Sequence, residues 1–595
     1  MSDNLIPVNT MGYYDEDSQK WIPVDAVAIK SNDNRYTADD ISSNFISLQQ
    51  DNKKISKNIE QLGYNIKTLG AKGNGIDDDT VAFINSLEIA KTQGYLKLFV
   101  PAGTYNVSNR IRIYKNTTIV MDAAATIKRA GEVGDIFING EYGNPNYSYG
   151  FSGDGNITIE GGCIDTNGFS KSPSGGTCAL QLAHADNIRI NKVKFKNNYR
   201  SHFIELNACK NVKIQDCEFV NHMFEGIGGY EAIQIDMSYA DGFHPFGSWD
   251  DTPCNDITIE NCKFRDGWRG VGSHYSKYYG DKEQNGRVFH TNINILNNNF
   301  ENMIDNAINC ESYIDSKILG NSINGTQLHG IGLSACTNVL VDDNIIVNTK
   351  EEGIHVTWRN RTDFVARCKD IEIGSNNIIK NCGKTGINAT GVDGVRIHGT
   401  TLINNGYEGI SINDCKDVVV NGSDIRGASL TKEGLYSAIR IGLSEDVDIK
   451  QVSSKNSKSK YSNAILVKSD CKNIAFSNLN MEEGVNTLIF DETGLSSLNN
   501  EQVLINGGSY LTGDTVTLRS DISKYTKLSV MTGTRSSGNL SVGESRSWID
   551  EKFVPNSDYI NVPTSNGRLI AKIIDNYKIQ ILRADDPLRY IWASK

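Results

Sequence analysis

Along most of the chain, apolar and polar residues alternate in short bursts that end at Asn, Asp or Gly. NIRINKVKF from 187, NVKIQDCEF from 211, DITIENCKF from 256 and NINILNNNF from 292 share one form: an I-x-I strand, a polar turn, a second short strand. The form returns from 316, 338, 370, 394, 417, 446, 473 and 502, at steps of 22 to 45 residues. Period two marks strands, and no helical period lies between the bursts. A shortest step of 22 residues with longer ones among them reads as one rung plus insertions. So short a rung cannot bury its apolar face alone and must stack on its neighbours, which predicts an all-β solenoid. A β-propeller would need a longer, four-stranded repeat of steadier period.

The two ends depart from this pattern. Ile41, Phe45, Leu48, Asn52, Ile55, Ile59 and Leu62 alternate at spacings of 4 and 3, a heptad seam with one polar core position. The competing reading is a lone amphipathic helix packed on the next domain. From about residue 520, shorter strands such as KLSVMTG, RLIAKIID and YKIQIL predict a small β domain.

A further strand in each rung aligns on a small first residue: AIQID (232), GVGSH (270), AINCE (307), GIGLS (330) and GIHVT (353), with FIELN (203) before them. Residues two and four are apolar and point inward, so three and five are expected to face solvent. Stacking then predicts two outward columns. The third-position column runs Glu205, Gln234, Gly272, Asn309, Gly332, His355, and the fifth runs Asn207, Asp236, His274, Glu311, Ser334, Thr357.

Asp236, His274 and Glu311 become neighbours in this scheme and are the candidate catalytic residues, with Glu205 a further acid one rung and one column away. Asp236 and Glu311 would lie about 9–10 Å apart at the backbone. That separation suits an inverting glycosidase, which needs one carboxyl to protonate the leaving oxygen and one to activate water. The same Asp236, His274 and Glu311 set would hold a divalent metal if the reaction were phosphodiester cleavage; no cofactor is otherwise indicated. A polysaccharide lyase lacks a visible Arg or Lys base within a tight acidic calcium site, although Arg269 keeps that option open.

Insertions after these strands bring Tyr239, Phe243, Phe246, Trp249, Tyr275, Tyr278, Tyr279 and Trp358 to one stretch of surface. Long aromatic loops on a rigid scaffold mark binding sites, and aromatic faces suit sugar rings. Gln234, Trp249, Arg269, Asn309, His355, Trp358 and Arg359 are therefore the expected substrate contacts. Glu231 precedes the strand and reads as a turn cap within reach of the groove rim. Against this stands the plain alternative that outward carboxylates on a solenoid are solvated edge protection. His184, His202, His222 and His329 read as satisfied surface or turn histidines.

The 595 residues carry a net charge of -11, and no basic stripe exists to neutralise phosphates, which argues against nucleic acid. No run of 18 apolar residues and no signal-peptide layout appear, so a soluble, cytoplasmically made protein without membrane insertion is expected. The 12 Cys occur singly, without C-x-x-C, and are expected as free thiols at equivalent interior turns.

Residues 70–108, GAKGNGIDDDTVAFINSLEIAKTQGYLKLFVPAGTYNVS, read as a Gly turn, an Asp cap over Asp77 to Asp79, a helix over 80–92 and a strand. The segment resembles the entry motif of pectate-lyase-like, right-handed parallel β-helix proteins. The matching positions are Gly70, Ala71, Gly73, Gly75, Asp78, Asp79, Thr80, Val100, Pro101, Gly103 and Tyr105. The resemblance implies a right-handed single-stranded β-helix over 65–515, flanked by an attachment region (1–40), a coiled coil (41–64) and a small β domain (520–595). That order is similar to bacteriophage tail spikes, and GYYDE (12) with YTADDI (36) resembles tail proteins of phages that infect Gram-positive bacteria. What this implies is a homotrimer on the virion, joined to tail or baseplate proteins through its N-terminus. It would bind and hydrolyse a host cell-surface glycopolymer such as wall teichoic acid or exopolysaccharide. A non-catalytic adhesin is the alternative.

Overall fold

A computed structural model describes residues 63–493, apart from 169–175, 224–229, 241–245, 274–276, 279–286 and 361–364, with a helix over 42–51 and short strands towards both ends. Each coil supplies one strand to each of three parallel sheets. One coil runs Asp186–Asn191, Lys194–Tyr199 and Ile204–Asn207; the next runs Lys210–Gln215, Glu218–Met223 and Glu231–Asp236. Ile188 pairs with Val212, Phe195 with Phe219 and Ile204 with Ile233. The second sheet has 15 strands and the third 14, both in uninterrupted sequence order, which is a parallel β-helix.

The Asn-rich composition follows from how the coil turns. Three positions per coil bend through left-handed backbone: Asn211, Asp216 and Asn221 (φ 54, 54 and 59), then Asp256, Asn261 and Asp266 (φ 53, 54 and 52). Asn and Asp are the side-chain-bearing residues that visit this region at least cost. Their side chains also link coils, as where Asn302 Nδ2 donates to Asp266 Oδ1 at 3.0 Å.

Inside, equivalent residues stack. Phe195, Phe219, Phe264 and Phe300 form a continuous pile with centroids 5.0, 4.8 and 4.6 Å apart and nearly parallel planes. At one turn a buried Asn ladder runs through Asn298, Asn321, Asn344 and Asn377. Each side-chain Oδ1 accepts the backbone N–H of the Asn one coil earlier at 3.0–3.1 Å. All 12 Cys are free and buried, as expected.

The entry motif closes the N-terminal end. Helix Thr80–Gln93 buries Phe83, Leu87 and Ala90 against the first coils. The Asp run divides its work differently from the simple cap expected. Asp78 Oδ1 accepts Thr80 N–H at 2.9 Å, whereas Asp79 turns away to accept Lys72 and Gly73 N–H at 2.6 and 3.1 Å. A side chain at Gly73 would strike the Tyr105 ring at 2.6 Å, and Tyr105 Oη is fixed on Pro101 O at 2.8 Å.

The segment from 502, read as a rung, is not one. Strand Glu501–Tyr510 pairs antiparallel with Leu588–Ser594, so it joins the C-terminal antiparallel strands, and Ser497–Leu498 is the last parallel pairing. Strands Thr515–Thr517, Lys578–Ala584, Gly567–Asp575 and Tyr559–Thr564 form a separate four-stranded antiparallel sheet. On helix 42–51, the seam residues Phe45 and Leu48 are 51% and 61% exposed, an apolar face that no described residue covers. Asn52, Ile55, Ile59 and Leu62 lie outside the described residues.

Candidate functional site

The third-sheet register places the outward columns as the alternation requires. Glu205 pairs with Gln234, Gln234 with Gly272, Gly272 with Asn309, Asn309 with Gly332 and Gly332 with His355. In the fifth column Asn207 pairs with Asp236, Glu311 with Ser334 and Ser334 with Thr357. His274 lies outside the described residues, so the Asp236–His274–Glu311 juxtaposition rests on register alone.

One expectation needs correction. These positions are outward from the core but not open to water: Glu205 is 5%, Glu311 2% and Asp236 0% exposed. Period two fixes which face a side chain takes, and the insertions then fold back over that face. Tyr147 and Phe246 meet edge to face at 6.0 Å beside Ile138 and Ala183, and His184 ties their two segments by bonding Gly150 O at 2.7 Å and Ser248 O at 3.0 Å. Phe246 and Tyr239, expected as surface aromatics, are therefore buried, while Trp249 stays 47% exposed. Phe243, Tyr275, Tyr279 and Arg361 are outside the described residues.

Beneath this cover is a network of amides and carboxylates. Glu205 Oε2 accepts from Gln181 Nε2 at 2.9 Å and Oε1 from Asn207 Nδ2 at 3.1 Å. One coil on, Asp236 Oδ2 accepts from Gln234 Nε2 at 2.7 Å. Burial pushes the Glu205 carboxyl up to about 7; the Gln181 and Asn207 bonds oppose that rise, and the charges of Asp135 and Asp236 add to it. A carboxyl near neutrality beside another carboxylate one coil away is the separation of environments that acid–base work uses.

Glu231 is no turn cap. It opens the strand, is fully buried and meets Arg269 Nη1 at 3.0 Å, while Arg269 Nη2 meets Asp305 at 3.0 Å. Burial disfavours the Arg269 charge, but the two carboxylates raise its pKa overall, so this cation serves an internal bridge rather than a ligand phosphate. Glu311 lies 3.3 Å from Arg359 Nε, so a cation from a later coil already faces it. Asn309 accepts from Asn306 Nδ2 at 2.9 Å, and the Trp358 ring lies over Gly391, where a Cβ would meet it at 2.9 Å.

Sequence reasoning named Glu231 and Arg269 but missed the rest of the column just before the small residue: Asn306, His329, Glu352, Thr385 and Glu408. Alternation assigns it to the interior, but the chain bends there. A Cβ on Gly330 or Gly353 would strike the core residues Ile346 or Ile379, so the small residue faces in and its predecessor faces out. The signal was the small residue itself. Among the described residues, His329, Glu352 and His355 have ligating atoms within 4.8 Å of one another; the expected set of Asp236, His274 and Glu311 includes His274, which lies outside them.

Comparison with known proteins agrees with this architecture. Residues 63–278 match the family model described as rhamnogalacturonase A/epimerase, pectate lyase-like, and residues 248–369 match the right-handed β-helix region. Plasmin and fibronectin-binding protein A of Streptococcus pneumoniae is 25% identical over 448 residues, 66% of this chain and 60% of that protein. The pre-neck appendage protein of Bacillus phage phi29 is 28% identical over 233 residues, 38% of this chain and 23% of that protein. The chain thus spans less than two thirds of either relative. A tailspike protein of E. coli bacteriophage HK620, solved with a pentasaccharide, has TM-score 0.52 and 11% identity, covering 96% of this chain and 97% of its own, a likeness of fold.

Proposed function

Because the chain is a pectate-lyase-like, right-handed parallel β-helix protein, we propose that it is a phage tail spike that binds and hydrolyses a host cell-surface glycopolymer. Glu205 is the general acid that protonates the leaving oxygen, and Asp236 activates the attacking water. The observation that carries this reading is Glu205 itself, a carboxyl pushed up to about 7 one coil from Asp236. Their backbone offset, one rung across and two residues along, is about 8 Å from strand geometry, compatible with inversion. Likeness to phage appendage and tailspike proteins supports placing the chain on the virion, with residues 1–40 towards the tail. The exposed seam at Phe45 and Leu48 supports a trimeric coiled coil.

The deciding experiment is reducing-end release from purified exopolysaccharide, or phosphate release after phosphatase treatment from wall teichoic acid. Loss of release in Glu205→Gln with polymer binding retained supports the enzyme; unchanged release overturns the acid assignment. A second reading, a non-catalytic adhesin, draws on the near-complete burial of Asp236 and on the relative named for binding plasmin and fibronectin. Wild-type protein that binds the polymer and releases nothing would establish it.

A further inference from the structure

Four to five coils beyond Glu205, the same outward face carries a donor set of different character. His329 and Glu352 occupy consecutive coils in the column that the bend turns outward, and His355 lies three residues on from Glu352. Gly332, the register partner of His355, has no side chain, which leaves room for the two imidazoles to stack at 4.4 Å and 10°. His329 Nδ1 and Glu352 Oε2 are 2.8 Å apart, an ion pair that sets an imidazole nitrogen beside a carboxylate oxygen. Glu352 is 9% exposed, so this pair is held inside the fold rather than at the open surface.

We propose that His329, Glu352 and His355 form a binding site for a divalent transition metal such as Zn²⁺. Two imidazoles and one carboxylate make a borderline-soft donor set suited to zinc and unlike the all-oxygen sets of calcium or magnesium. The ligating atoms lie within 4.8 Å of one another. A tetrahedral ion with bonds of 2.0–2.1 Å asks for donor separations of about 3.3 Å. Asn388 Nδ2 lies 3.2 Å from His355 Nδ1, a contact that holds the imidazole in its orientation. His329 remains 19% exposed at its side chain, so a fourth ligand can approach from outside.

The site stands apart from Glu205 and Asp236, and its test does not depend on their chemistry. Zn²⁺ alone is titrated into the full chain against a chromogenic chelator, with Co²⁺ absorption as a second readout. The expected result is one Zn²⁺ equivalent bound by wild type and lost in Glu352→Gln and in His329→Ala, with Glu205→Gln unaffected. Asn388→Ala should weaken the site about 10- to 100-fold. Equal binding by wild type and Glu352→Gln, or no Zn²⁺ bound by wild type, overturns the proposal. If His329→Ala fails to fold, the wild-type Co²⁺ spectrum still decides, since a four-coordinate nitrogen–oxygen site gives strong visible bands and an octahedral aqua ion does not.

Discussion

Gln234 donates its side-chain amide to Asp236 at 2.7 Å while pairing in register with Glu205, so one residue touches both halves of the proposed acid–base pair. Gln181 and Asn207 play the same part around Glu205. Amides thus hold both carboxyls; at Glu205 their hydrogen bonds oppose the rise that burial causes without cancelling it.

If Glu205 is the acid, polymer cleavage should fall as pH rises through about 7, because the donor form is lost. Glu205→Gln should lower kcat by about 10²–10⁴-fold, and Asp236→Asn should do likewise, with polymer affinity nearly unchanged. Reducing-end assays from pH 5 to 9 check this. A flat profile would remove Glu205 from the proton-transfer step.

The same burial fixes a stability trend. Glu205 is raised from an ordinary 4.5 to about 7, so the folded state holds a proton that the unfolded state has released between those values. This contribution is fully present below about 4.5 and is lost as pH rises to about 7. Glu205→Gln should flatten that limb and be more stable than wild type at pH 8, by on the order of 1–3 kcal/mol. Urea midpoints across the pH range measure it.

His290 provides the opposite slope. Burial lowers it to about 3, and Cys254 N–H donates to its Nδ1 at 3.1 Å, so it folds as the neutral base. Its contribution is present above about 6.5 and declines as pH falls towards 3. His290→Asn should reduce acid sensitivity between pH 6 and 4, seen as a smaller fall in thermal midpoint.

The phenylalanine pile should be costly to break. Phe264 is 1% exposed and stacked on both sides, at 4.8 Å against Phe219 and 4.6 Å against Phe300. Phe264→Ala should destabilise by about 3–5 kcal/mol, whereas Phe264→Leu should cost far less.

Removing a member of the Asn ladder should also be expensive. Asn321 accepts from Asn298 N–H and donates to Ile295 O at 2.9 Å. Asn321→Ala leaves both buried groups unpaired and should cost about 1–3 kcal/mol for each. Equilibrium denaturation measures the loss.

Much of this was legible in the sequence, for a definite reason. The I-x-I alternation, the Asn and Asp at left-handed turns and the Gly, Asp and Tyr of the entry motif are local requirements, met residue by residue wherever they occur. They determined the solenoid, the buried free cysteines and the pairing of Glu205 with Gln234 and of Asn207 with Asp236. What only the tertiary structure decided was the environment of those side chains. Whether Asp236 meets water depends on insertions folding back from distant coils. Whether Arg269 can hold a ligand depends on Glu231 and Asp305 having taken it first. The outward turn of His329 and Glu352 depends on a bend that period two does not encode. Strand alternation is written in neighbouring residues; burial and charge are set by residues that the winding of the chain brings together.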